Sequence, residues 1–280
     1  MEKKQKKLGI IVGGGVLPQI LIEHCRQTER DYFVLAIENN ADRAIFTPDM
    51  PHQWIRIGQA GTGFKLMHEQ NVEEVIMIGT IHRPSLADLM PDLRTAAFFA
   101  RIGFKSLGDD GILRALVKEI ESENMRVVGI HEVLPELLVK AGILTRTKPD
   151  RQALADISRG VEVGLELGRL DVGQSVIVQQ GLVLGVEGIE GTDKLIERCG
   201  TYLRKGAGGV LIKLRKPQQD MRIDLPTIGT KTIEKLHGAG MRGIAIHAGN
   251  ALIVNEAEVI SLANKYKMFI VGIEPSEVSK

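Results

Sequence analysis

The chain of 280 residues predicts an α/β protein of two domains, an N-terminal Rossmann-like parallel sheet and a C-terminal mixed α/β domain. Three observations carry this. Short apolar runs alternate with helix-spaced segments through both halves. The run LGIIV at 8–12 ends in Gly13, Gly14 and Gly15, and then VLPQILIEHCRQ has helical spacing and YFVLAIE reads as a strand, the opening of a βαβ unit. From Val133 to Arg151 the pattern changes: LPELLVKAGILTRTKPD reads as a short apolar helix and a polar connection containing proline. The expected division is 1–132, a linker at 133–150, and 151–280.

Composition bounds the function. Hydrophobic residues make up 44% and charged residues 25%, as in ordinary globular chains, and the net charge is +1, from 36 basic and 35 acidic residues. No global field recruits nucleic acid or an anionic membrane, so any anion binding is local. Two cysteines, Cys25 and Cys199, lie far apart without metal-ligand spacing, which fits a reducing cytoplasm. The basic then apolar start MEKKQKKLGIIVGGG reads as a frayed end and a buried strand rather than a signal peptide. No apolar window is long enough to span a bilayer.

In the first domain, the backbone N–H groups of Gly13 to Gly15 and the following helix could cradle an anion, or the glycines could be a structural turn. A dinucleotide fingerprint would need a third glycine where Pro18 stands, although Glu38 ends the next strand where a ribose-binding acid would be. WIRIG and EEVIMIGT read as further strands around the helix-like GFKLMHEQ. Arg83 follows the second, as a phosphate or uracil contact or as a solvated side chain before Pro84. Helical patterns over 92–123 break at 108–111, where Asp109 or Asp110 would cap the next helix. RVVGIHEV reads as the last strand, with His131 a satisfied strand-end histidine.

The second domain opens with a long amphipathic helix, ALADISRGVEVGLELGRL. Its Gly160, Gly164 and Gly168 recur every fourth residue on one face, which predicts close packing there. SVIVQ and LVLGVE around Gln180 and Gly181 read as a hairpin. A helix starts near Gly191, with Thr192 or Asp193 as its cap, and GGVLIK delivers Lys213. TIEKLHGAG, RGIAIHA, ALIV, NEAEVISLANKY and MFIVGI complete the α/β pattern.

The chemistry is expected in Lys213 to Lys231, KLRKPQQDMRIDLPTIGTK. Lys213, Arg215, Lys216 and Arg222 stand beside Asp220 and Asp224, and Pro217 and Pro226 make the stretch a shaped loop. Cationic side chains can hold a diphosphate. Carboxylates beside it call for a hard cation such as Mg2+ between them, which suggests metal-assisted attack on phosphorus. A surface loop whose acids pair with its bases has the same composition.

The run K-P-x-Q-D-x-R-x-D-L-P-T-I-G at Lys216 to Gly229 resembles the LpxI-type UDP-2,3-diacylglucosamine diphosphatases of lipid A biosynthesis. So do GIIVGGGVLP, HRPSLADLMPD, GDDGILR, LDVGQSVIV and VEGIEGTDKLIER, which cover nearly the whole chain in order. The resemblance implies a Mg2+-dependent hydrolase, Mn2+ being an alternative ion, from a Gram-negative bacterium. It would release UMP and 2,3-diacylglucosamine 1-phosphate, lipid X, by attack of water at the α-phosphorus. Asp224 matches the family's essential aspartate, and Asp220 fills a position compatible with a second metal ligand.

By extension, Arg222, Lys213 and Lys216 would contact the diphosphate, and Gly13 to Gly15 with Leu17 would surround the nucleotide. Thr192 and Thr227 are substrate contacts or helix caps. A UDP-holding first domain and a lipid-holding second domain would put the active site in the cleft between them. Hinge motion about 133–150 would open it, and the glycine-lined helix 153–170 would form one wall of an acyl groove. A cytoplasmic location with transient contact at the inner-membrane surface, and a homodimer, are compatible with this. Two rivals stand beside it: a noncatalytic carrier of lipid X, which would not need paired acids, and a nicotinamide-dependent oxidoreductase, which Pro18 disfavours.

Overall fold

A computed structural model describes residues 5–81, 89–102 and 109–278. The chain divides into two compact units, Met1–Leu134 and Pro135–Lys280. Arg83 and the cap reading of Asp109 and Asp110 lie outside what is described.

The first unit holds β1 (Leu8–Val12), α1 (Leu17–Gln27), β2 (Tyr32–Ile37), β3 (His52–Ile55), α2 (Ala60–Glu69), β4 (Glu74–Ile78), α3 (Leu93–Ile102), α4 (Asp109–Ser122) and β5 (Arg126–Val127). Its five strands form a parallel sheet in the order β3-β2-β1-β4-β5. Central β1 pairs on both sides, Leu8 standing opposite Tyr32 and Glu74, and Leu8, Ile10 and Val12 are fully buried. This is why LGIIV reads as an uninterrupted apolar run. The chain order reverses between β1 and β4, the point where open α/β sheets place their ligands.

RVVGIHEV is only briefly a strand. Pairing stops at Val127, and Ile130–Val133 forms a single helical turn. Glu132 explains the turn, because its carboxylate accepts the Gly129 N–H at 2.9 Å. His131 therefore lies in a helical turn rather than at a strand end, and its buried Nδ1 has no hydrogen-bond partner among the described residues.

The second unit holds β6 (Gly142–Ile143), α5 (Arg151–Arg169), β7 (Ser175–Gln179), β8 (Leu182–Val186), α6 (Gly191–Gly200), β9 (Val210–Lys213), β10 (Thr227–Ile228), α7 (Thr230–Gly238), β11 (Gly243–His247), β12 (Leu252–Ile253), α8 (Glu256–Lys265) and β13 (Phe269–Ile273). Six strands form a mixed sheet, β6-β13-β11-β9-β7-β8, in which β9, β11 and β13 run parallel. A small parallel pair joins β10 and β12. Residues 135–150, read from sequence as a helix and linker, instead form a 3₁₀ turn at Pro135–Leu137 and the edge strand β6 against β13.

Alternation along β9 sets the two layers. Leu211 packs with residues of α6, α7 and α8, whereas Val210 and Ile212 pack with Ala153, Ile157 and Val161 of α5. The hairpin between β7 and β8 turns at Gln180 and Gly181, both at positive φ, 54° and 78°. Two such residues in succession match the twist of a tight hairpin.

The glycine face of α5 is closed against the sheet. A Cβ at Gly160 would stand 2.4 Å from Ile212 Cδ1, one at Gly164 would stand 3.2 Å from Leu214 Cδ1, and one at Gly168 would meet Pro217 Cδ at 3.0 Å. The small residues let the helix lie on β9 and on the loop beyond it. The glycine face of α5 is thus occupied by the protein's own side chains.

Candidate active site

The parallel strands β9, β11 and β13 end at one edge of the second sheet, so Lys213 and His247 stand there at strand termini. Lys213 shares the parity of Leu211 and points away from α5. Only 7% exposed, it donates from Nζ to Thr192 Oγ1 at 3.1 Å and to the Thr227 carbonyl at 3.2 Å. Thr192 in turn donates to Glu187 Oε1 at 2.9 Å and lies 3.2 Å from Ser175 Oγ. Glu187 is itself 7% exposed. A buried ammonium thus faces a buried carboxylate through one hydroxyl, an arrangement that avoids leaving either charge alone.

Thr192 does not act as a helix cap. The N-cap of α6 is Glu190, which makes no side-chain cap, and the Thr192 hydroxyl is spent on Lys213 and Glu187. Likewise Thr227 Oγ1 donates to the Leu225 carbonyl at 3.0 Å rather than capping a helix.

Beyond β9 the chain turns through residues 214–226 and is tied down at several points. Lys216 Nζ pairs with Asp171 Oδ1 at 2.6 Å, and Gln218 Nε2 donates to the Gly168 carbonyl at 2.6 Å, so the loop docks on the C-terminal end of α5. Asp171 reaches Lys216 from a left-handed backbone conformation, φ 58°, just after the helix. Asp220 accepts from Arg222 as a fork, Nε to Oδ1 at 3.0 Å and Nη2 to Oδ2 at 2.7 Å. The two carboxylates of the loop therefore have different environments. Asp220 carries a guanidinium, whereas among the described residues Asp224 Oδ2 accepts only an amide, from Gln219 Nε2 at 2.5 Å.

Electrostatics separate the groups further. Burial pulls the Lys213 pKa below the usual lysine range, and the charges of Glu187, Asp224 and Asp193 oppose it. Surrounding protein pushes the Asp224 carboxyl above the usual aspartate range, against its hydrogen bond from Gln219 and the charges of Lys216 and Lys213. Solvent still reaches Asp224, which screens that shift. His247 is lowered by burial and by Arg215, against Glu274.

The site thus brings together Lys213, Thr192 and Thr227, with Asp224 in electrostatic reach of Lys213. Glu187, the last residue of the hairpin run LVLGVE, and Gln219, an uncharged residue between charged ones, are site residues that the sequence pattern does not single out. A buried acid closing a strand was the available signal for Glu187.

Among the described residues, no group of three or more His, Cys, Asp or Glu side chains is placed to hold a metal ion. The donor set nevertheless fits Mg2+, which commonly takes one or two carboxylates and completes its shell with water and substrate phosphates. Asp224 is suited to such a role, because Oδ1 accepts no hydrogen bond among the described residues.

In the first unit, the glycine turn is partly spent on itself. Gly13 N donates to the Ile78 carbonyl at 2.9 Å, and Gly14 and Thr80 exchange two backbone bonds of 2.8 Å. A Cβ at Gly13 would stand 2.5 Å from Thr80 O, so close backbone approach requires glycine there. The expected cradle narrows to Gly15, at φ 94°, and the start of α1 before Leu17. The N-terminus of α2 is closed by Asp92, whose Oδ2 accepts from Gly61 N at 2.8 Å. Asp92 Oδ1 also accepts from Thr95 N, and these bonds hold its carboxyl below the usual range despite burial.

Two α/β units, one with a glycine turn ahead of its first helix and one with a carboxylate in electrostatic reach of a buried cation, define the class: an α/β protein of two domains. Family models for the LpxI N-terminal domain and the LpxI C-terminal domain match residues 7–137 and 140–271. The chain belongs to the LpxI family. It is 37% identical over 279 residues to the UDP-2,3-diacylglucosamine pyrophosphatase LpxI of Caulobacter vibrioides, covering 97% of this chain and 99% of that one. Among solved structures, N5-carboxyaminoimidazole synthase from Aspergillus clavatus matches 70% of this chain and 43% of its own at 15% identity. The TM-score of that match is 0.27.

Proposed function

We propose that this protein hydrolyses the diphosphate of UDP-2,3-diacylglucosamine, releasing UMP and 2,3-diacylglucosamine 1-phosphate, in lipid A biosynthesis. The observation that carries the proposal is buried Lys213 at the end of β9 with Asp224 in electrostatic reach on the loop beyond it, in a chain similar over 97% of its length to a relative bearing that activity's name. Lys213, held by Thr192 and Thr227 and backed by Glu187, fixes a point charge for a phosphate oxygen. Arg222, aligned by Asp220, presents a planar donor set to the diphosphate, with Lys216 nearby on the same loop.

Asp224 would hold Mg2+, or Mn2+ in its place, which when bound neutralises charge on the diphosphate and lowers the pKa of a water. The ionised carboxylate is the form that serves there. Its other assignment is to accept the proton of the attacking water, which requires the same ionised state. Asp220, engaged by Arg222, serves to orient that guanidinium. Attack is assigned to the α-phosphorus, which leaves the lipid-bearing phosphate as the departing group. Gly15 and the start of α1 are the part of the first unit suited to an anionic nucleotide.

Incubating the protein with UDP-2,3-diacylglucosamine and Mg2+ and separating the products by mass tests the proposal. UMP and the lipid monophosphate are expected in equal amounts. Tight binding of the lipid monophosphate without any turnover would favour the noncatalytic carrier. Among the described residues no helix is long and apolar enough to cross a membrane, and contact with the inner-membrane surface stays part of this reading through the amphiphilic substrate alone.

A further inference from the structure

We propose that Gln219 is a positioning residue for Asp224, holding Oδ2 so that Oδ1 is left for the reacting centre. This rests on the diphosphatase reading. Gln219 is 3% exposed although it is an uncharged polar residue in a charged loop. Its Nε2 donates to Asp224 Oδ2 at 2.5 Å, while its Oε1 accepts the Lys216 N–H at 3.2 Å. The second bond fixes the amide's orientation, because an N–H donor must meet the carbonyl end and leaves only the NH2 end for the carboxylate.

The backbone of Gln219 is fixed as well. Its N–H donates to the Lys216 carbonyl at 3.1 Å, and its carbonyl accepts Arg215 Nη1 at 2.7 Å. Gln219 is therefore clamped on three sides by 215–216 and extends one donor to Asp224. A carboxylate held through one oxygen by a rigid amide keeps one orientation, which is what a metal ligand or a base needs. A backbone bond from Asp224 N to the Asp220 carbonyl, 3.4 Å, is long and would not fix the side chain alone.

Two variants separate this role from a structural one. Gln219→Glu keeps the size and the acceptor facing Lys216 N–H but turns the donor toward Asp224 into a carboxylate. Gln219→Met keeps the length and removes both bonds. In both, kcat is expected to fall at least ~10-fold with KM within about threefold, the pattern of a bond that matters in the transition state. A crystal structure of Gln219→Met is expected to show the Asp224 carboxyl turned from its wild-type orientation.

Wild-type kcat in Gln219→Glu would overturn the inference, as would an unmoved Asp224 in Gln219→Met. A loss of kcat matched by an equal loss of thermal stability in both variants would also overturn it, in favour of loop support alone. Failure of the wild type to hydrolyse the substrate would count against the diphosphatase reading itself, which separates the two failures.

Discussion

Lys213 Nζ donates to Thr192 Oγ1, which donates onward to Glu187 Oε1, so one hydroxyl joins a buried ammonium to a buried carboxylate. Thr192→Val keeps the shape and removes that junction. Each partner then loses a hydrogen bond where water is scarce, and stability should fall by about 1–3 kcal/mol by chemical denaturation. Turnover should fall with it, because the Lys213 ammonium loses one of its fixed points.

Lys213→Met tests the cation itself at nearly constant volume. Removing one preorganised donor at a site of developing charge typically costs about 10²–10³ in kcat, and that is the loss expected here. Glu187 is left without its nearby cation, so the variant should also be less stable than the wild type at neutral pH.

Asp224→Asn separates activity from stability. The folded pKa of Asp224 is raised, so its neutral form favours folding below the ordinary aspartate pKa, and that contribution is lost as pH rises through the folded value. The amide cannot ionise. Solvent at Asp224 keeps the effect small, so the variant's thermal midpoint should exceed the wild type's only slightly at neutral pH, with the gain vanishing toward about pH 3, below the ordinary aspartate value. Its hydrolysis should be abolished.

His247 gives the opposite limb. Its folded pKa is lowered by burial, with Arg215 adding to the shift and Glu274 opposing it. The unfolded chain therefore binds the proton first, and stability should decline as pH falls below about 6.5. His247→Gln should flatten that decline in a series of thermal melts.

Packing on α5 predicts a contrast between neighbours. Gly160→Ala forces a methyl within 2.4 Å of Ile212 Cδ1, and overpacking of that kind costs about 1–3 kcal/mol. Gly164→Ala meets its nearest atom at 3.2 Å, so the helix preference for alanine, up to about 1 kcal/mol, can offset the contact. Denaturation midpoints of the two variants should differ accordingly.

The strands were legible because burial on both faces leaves uninterrupted apolar runs, as at 8–12 and 269–273, and the hairpin because Gln180 and Gly181 break two of them. Lys213 and Asp224 were legible as charges in a proline-bounded loop. What the sequence could not convey was partnership. The four-residue glycine period of α5 announces close packing but not whether a helix, a sheet or an acyl chain lies opposite. Thr192 stands where a cap residue would, and only the fold brings Lys213 onto its hydroxyl. Asp220 and Asp224 look equivalent in a string of letters, and the turn between them gives one a guanidinium and the other an amide. In the same way, Gly13 and Gly14 read as free N–H donors until β4 brings Thr80 alongside.

Attack at the α-phosphorus and the role of Asp224 are tested together by hydrolysis of UDP-2,3-diacylglucosamine in water labelled with heavy oxygen, by wild-type protein and by Asp224→Asn, with Mg2+ and after its removal by a chelator. Label is expected in UMP alone, with no turnover in the variant or without the ion. Label in the lipid monophosphate, or undiminished turnover by Asp224→Asn, would contradict these assignments.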